Sequence, residues 1–127
     1  MDENDFYRKW EEYLLAFTNA DFETLATQFH FPVTILLESP IVLADKSNFI
    51  ETMKFIREHK LQDGYAYSKT DTIQWVQLSD SEGYVDAKYS RYNHKNEIIF
   101  QGRGLYFFKK SNDQWKIQVN MPLELMK

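Results

Sequence analysis

An α+β domain is the fold class this sequence predicts, with helices leading and long antiparallel strands following. Two patterns and one compositional excess carry the prediction. Apolar residues recur at helical spacing in three stretches of the N-terminal half, with a short strand-like pair between the second and third. Beyond Gly64, four long stretches rich in β-branched and aromatic residues are joined by turns too short for parallel crossovers, which requires an antiparallel meander. Aromatic side chains make up 17% of the chain. That is enough for a sizeable core, with a surplus that suits a lined cavity or an adhesive face.

The first helix is expected over Asp5 to Phe17, where Phe6, Trp10, Tyr13, Leu14 and Phe17 form one stripe opposed by Arg8, Lys9, Glu11 and Glu12. Asp21 is a natural N-cap for a second helix, with Glu23 in its first turn and a stripe of Phe22, Leu25, Ala26 and Phe29. Pro32 disfavours helical geometry at Phe31, so this helix should stop there. Val33 to Leu37 and Ile41 to Leu43 read as two short strands around Glu38-Ser39-Pro40. A third helix is expected from Asn48 to Leu61, with Asn48 and Glu51 as a capping box and Gly64 at the exit.

The strands follow as Tyr65–Ser79, Tyr84–His94, Glu97–Lys110 and Gln114–Met121. They exceed the usual strand length, so they should bend, and Gly102-Arg103-Gly104 is the expected bulge. Strict alternation puts Trp115, Ile117, Val119 and Met121 on one face of the last strand, opposite Lys116, Gln118 and Asn120. The preceding strand is apolar on both faces, with Ile98, Phe100, Tyr106 and Phe108 on one and Ile99, Leu105 and Phe107 on the other. Helices cover only one face of a single sheet, so a homodimer through the outer sheet face is expected.

The length of 127 residues suits one domain, 1–127. A net charge of −4 opposes nucleic-acid binding, which needs basic patches. The acidic start lacks the basic segment of a secretory signal, and no apolar run is long enough to span a bilayer, so no membrane partner and a cytoplasmic location are expected. With no cysteine, there is no thiol nucleophile, disulfide or thiolate metal site. His30, His59 and His94 stand apart, with no metal-ligand spacing on one element, so no metal and no cofactor is expected.

The element order resembles that of the NTF2-like superfamily, in its SnoaL-like and ketosteroid-isomerase-like branch, over nearly the whole chain. Ala20-Asp21-Phe22-Glu23-Thr24-Leu25 is similar to the junction between that family's first two helices. Ala87-Lys88-Tyr89-Ser90-Arg91-Tyr92-Asn93 resembles its central strand, and Asp113-Gln114-Trp115-Lys116-Ile117 its final hairpin. The resemblance implies a cone: three helices packed on a strongly curved antiparallel sheet. It does not imply an activity, because this fold hosts enzymes and non-enzymes alike. The isomerases use a Tyr on the first helix, an Asp base and a protonated Asp donor. Tyr13 stands at the family's spacing from Asp21. The base string is here Glu38-Ser39-Pro40, an ungapped match puts Leu37 at the base, and the donor falls around Gly104 to Tyr106, where no acid stands. The epoxide-hydrolase pattern, an Arg and an Asp two apart on one strand, is also unmet: Asn93 follows Arg91 and Leu105 follows Arg103.

The candidate catalytic residues are Tyr13 and His30. Tyr13 is either a pocket hydroxyl donor or a half-buried helix residue; His30 is either a general base at the pocket mouth or a packing residue at a helix end. The candidate ligand-binding residues are Glu38, Tyr89, Arg91 and Arg103. Both arginines alternate with apolar neighbours, and a buried Arg demands an anion: an internal or intersubunit acid such as Glu38 or Asp86, or a ligand carboxylate. The expected function is binding of a small, largely apolar ligand in the cone, with isomerase- or cyclase-type acid–base chemistry left open. The alternative is a non-catalytic homodimerisation or partner-binding module.

Overall fold

The computed structural model describes residues 1–123. The elements are α1 (Glu3–Thr18), α2 (Phe22–Ala26), β1 (Phe29–Ile35), β2 (Ile41–Leu43), α3 (Lys46–His59), β3 (Tyr65–Gln77), β4 (Glu82–Asn93), β5 (Ile98–Ser111) and β6 (Gln114–Leu123). The helices pack on one curved sheet of order β2-β1-β6-β5-β4-β3. Strands β3 to β6 form the expected antiparallel meander. The sheet is nevertheless mixed, because β1 returns beside β6 in parallel.

Local chemistry explains the helix ends. Asp2 caps α1 by accepting from the backbone N–H groups of Asn4 and Asp5. The other end of α1 is closed from a distance: the Arg57 guanidinium donates to the Phe17 and Thr18 carbonyls at 2.7 and 3.0 Å. Such orphan carbonyls require partners, and a cation suits them. Helix α2 begins at its expected cap, Asp21, but ends at Ala26 rather than near Phe31. Strand pairing overrides the helical stripe there. Ile117 N–H donates to Gln28 O at 2.8 Å, and Phe29 and Val33 are buried as part of β1. Helix α3 starts two residues before the expected Asn48, capped by Asp45, which accepts from Asn48 N–H at 2.8 Å. The Asn48 side chain in turn accepts from Ala44 N–H.

The strands bend at register shifts rather than at Gly102–Gly104. Those two glycines sit in uninterrupted pairing with Tyr89 and Ala87. Their role is space: a Cβ on Gly102 would overlap the Tyr89 ring, and one on Gly104 would press on the Tyr106 ring. The shifts fall between Tyr65 and Tyr67 and between Thr70 and Thr72 in β3, at Ile99 of β5 opposite Arg91 and Tyr92, and at Phe107/Phe108 against β6. The last changes the face assignment. Phe108 pairs with Ile117, but Phe107 pairs with Val119. Gln118 is therefore an extra residue, and beyond it the alternation reverses. Trp115 and Ile117 face the helices, as expected. Val119 and Met121 turn to the outer face with Phe107 and Leu105, and Asn120 turns inward beside Tyr106.

The inner face carries the core. At the end near the start of α1, Phe6 is fully buried and stacks on Trp75 with ring centroids 5.3 Å apart. Trp75 meets Phe108 and Trp115 edge-on at 5.6 and 5.5 Å. Gly83 makes this possible, because any Cβ there would overlap the Trp75 ring. Burial of one such aromatic contributes about 1.5–3 kcal/mol.

Candidate functional site

The same concave face opens, further along, into a cavity of about 520 Å³ between α1, α3 and the sheet. Its wall is mainly aromatic and aliphatic: Trp10, Tyr13 and Phe17 from α1, Met53 and Ile56 from α3, Phe29 and Ile35 from β1. The sheet supplies Ser68, Tyr89, Arg91, Gly104, Tyr106 and Asn120. A wider open depression beside the start of α1 is lined by Asp5, Arg8, Lys9, Glu12, Lys110 and Asp113. Its mixed charged rim is what any solvated surface offers, so the apolar cavity is the candidate site.

Tyr13 and Tyr106 form its floor. Their rings lie 5.7 Å apart, and Trp10 stacks on Tyr13 at 5.0 Å and meets Tyr106 edge-on at 5.0 Å. Trp10 Nε1 donates to Thr70 Oγ1 at 2.9 Å, which fixes the indole that holds both phenols. Desolvation pushes the Tyr13 phenol up to about 12, the interaction with the Tyr106 hydroxyl only partly offsetting it. Desolvation also drives Tyr106 well above its ordinary value, and the neighbouring Tyr13 adds to the shift. Both are neutral hydroxyls near pH 7, fit to donate hydrogen bonds and unfit to abstract protons.

Arg91 enters the cavity from the end of β4. Its Nη1 donates to Gln62 Oε1 at 3.1 Å, just past α3. The guanidinium lies over Phe100 at 4.8 Å and Tyr89 at 5.3 Å. Its Nε is buried and has no hydrogen-bond partner, and among the described residues no carboxylate reaches salt-bridge distance of Arg91. Asn120 Oδ1 is likewise buried without a partner. Ser68 Oγ shares a hydrogen bond of 2.7 Å with Tyr65 Oη.

The structure thus brings together Tyr13, Tyr89 and Arg91 of the candidates. Arg103 touches the cavity wall, but its guanidinium belongs to the outer face, where Nε and Nη2 bind both oxygens of Asp86 at 2.9 and 2.5 Å. That bond and the Arg103 charge hold Asp86 below the usual carboxylate range. His30 lies off the cavity, with Nε2 at 3.0 Å from Lys109 O. Glu38 is exposed in the bend after β1 and is not part of the lining, although its neighbour Leu37 is. Nothing in the local sequence marks Asn120, Ser68 or Tyr106 as a cavity residue. Asn120 sits inside only because of the bulge at Gln118, and no residue type announces that bulge.

A family model described as NTF2-like protein (DUF6841) matches residues 4–124. The chain belongs to this NTF2-like family. Solved structures agree on the fold. A cystatin-like-fold protein of unknown function from Nostoc punctiforme is similar with a TM-score of 0.78 at 10% identity, over 95% of this chain and 89% of that one. An NTF2-like protein of unknown function from Shewanella oneidensis gives 0.74 at 14% identity, over 98% and 100% of the two chains. A third, from Pseudomonas putida, gives 0.77 at 8% identity, over 98% and 87%. Identities this low carry the fold alone. Among curated protein sequences none matches the chain. Within this NTF2-like domain no helix of the described residues is long and apolar enough to cross a membrane. Among the described residues no group of three or more His, Asp or Glu is placed to hold a metal ion.

Proposed function

We propose that this NTF2-like domain binds a small, largely apolar ligand in the cavity of its cone and does not abstract a proton from it. The observation that carries the reading is the cavity itself: about 520 Å³, aromatic-walled, and lined among the described residues by no carboxylate and no histidine. A volume of this size falls within the range of small-molecule sites, and a few convergent polar groups in an apolar wall are their usual composition. Proton abstraction near neutral pH would need a base, and the phenols of Tyr13 and Tyr106 are held in their neutral form. Titration with a fluorescent apolar probe tests the reading. Saturable binding is expected, with its loss in Ile56→Trp, which fills the cavity from α3. A probe that binds Ile56→Trp as tightly as the unsubstituted protein removes the cavity as the site.

A second reading concerns the opposite face. Direct pairings there join Val76 to Tyr84, Tyr84 to Phe107, Phe107 to Val119, and Thr34 to both Val119 and Val42. A row across all six strands, apolar but for Thr34 and with no helix over it, favours self-association through the outer sheet face. Sedimentation at micromolar concentration tests this. A dimer is expected, and Phe107→Glu should return it to a monomer.

A further inference from the structure

The charges around the cavity are distributed against the composition of the chain. Acidic residues outnumber basic ones, 19 to 15. Among the described residues, nonetheless, every charged side chain that lines the cavity is a cation: Lys60, Arg91 and Arg103. Arg103 is neutralised outside by Asp86. Lys60 is exposed at the C-terminal end of α3, two residues before Gln62, which binds Arg91. One end of the cavity therefore carries uncompensated positive charge, with Lys60 at the rim and Arg91 deeper. A partly buried guanidinium with a spare donor is costly unless an anion completes it.

We infer that the ligand is an apolar carboxylic acid, held by its carboxylate on Arg91 with its apolar body running inward over Tyr89, Tyr13 and Tyr106. The inference rests on the cavity being a ligand site. A single carboxylate fits better than a phosphate ester, because Arg91 is the cation withdrawn from solvent while Lys60 stays exposed at the rim. The planar guanidinium presents donors in the fork that a carboxylate accepts. Gln62 and the Phe100 and Tyr89 rings hold that fork in place before any ligand arrives, so little ordering is left to binding. Tyr13 and Tyr106, as neutral donors, offer hydrogen bonds further along the body.

The test uses naphthoate and its neutral analogue naphthol at pH 7, titrated by calorimetry against the full chain, Arg91→Met and Arg91→Lys. Naphthoate is expected to bind about tenfold to a hundredfold more tightly than naphthol, the scale of one charge-assisted contact. Arg91→Met should erase that preference, and Arg91→Lys should retain part of it. The comparison of the two probes on the unsubstituted chain needs no variant, so a failure of Arg91→Met to fold leaves the test intact. Equal affinities there, or a preference that survives Arg91→Met, overturn the carboxylate inference while leaving the cavity reading standing. If neither probe binds, the cavity reading falls and the inference falls with it.

Discussion

The two ends of the concave face are built from the same residue class and behave differently. At one end Phe6, Trp75, Phe108 and Trp115 interlock, with ring centroids 5.3 to 6.3 Å apart. At the other, Trp10, Tyr13, Tyr89 and Tyr106 stand around a void. The difference lies in what accompanies the rings. At the filled end Gly83 makes room for the Trp75 indole, whose Nε1 is buried and has no hydrogen-bond partner. At the hollow end the glycines seat tyrosines against the sheet, while Arg91 and Asn120 bring in donors and acceptors that a packed apolar core could not satisfy. Aromatic content alone builds either a core or a pocket. What sets the hollow end apart is the guanidinium of Arg91 and the amide of Asn120 on its wall.

The largest expected effect that separates the ends is Phe6→Ala. It should cost about 3–5 kcal/mol by chemical denaturation, as for other fully buried aromatics. At the hollow end Tyr13→Phe should change stability at pH 7 by only about 1 kcal/mol, the scale of the one hydrogen bond its hydroxyl shares with Tyr106. A loss as large as that of Phe6→Ala would mean that this end is packed too.

Alkaline pH sharpens the contrast. The Tyr13 phenol has an ordinary value of 10.0 and a folded value of about 12, so the folded state holds its proton more tightly. The sign follows: this contribution is complete below pH 10 and is lost as pH rises through about 12. Thermal melts of the unsubstituted protein should fall across that window, with a shallower fall in Tyr13→Phe. Parallel curves for the two would show that Tyr13 ionises as freely folded as unfolded.

The smallest effect is expected on the outer face. Asp86→Asn removes the partner of Arg103 in a pair whose side chains are 26% and 39% exposed, where solvent screening limits the contribution. Because Asp86 is depressed in the folded state, its contribution is present above the ordinary carboxylate value and is lost as pH falls through the folded one. The melting curves of Asp86→Asn and the unsubstituted protein should therefore converge in acid. An Asp86→Asn change that tightened naphthoate binding would show that Arg103, once freed of its partner, also reaches the anion.

Arg91 and Arg103 also mark the limit of legibility. Both alternate with apolar residues, so sequence treats them alike. Pairing separates them. Arg103 shares its face with Asp86 across a regular ladder, while Arg91 stands where the β4 register shifts and no acid lies opposite. The place of Tyr13 on the cavity side is legible in the apolar stripe of α1. That of Asn120 is not, because one unpaired residue, Gln118, reverses every side chain after it.

What the sequence determined by itself is the order of the elements, most of their caps and the helix-facing side of α1, since these depend on near neighbours and on hydrophobic period. It also excluded thiol chemistry and left the isomerase acids without counterparts. Tertiary structure decided the rest: the short α2, the parallel return of β1 beside β6, the inward turn of Asn120, and which arginine keeps its charge in the cavity. Each of these hangs on which strand lies beside which and at what register. Contacts between residues far apart in the chain set that register, and no local pattern encodes it.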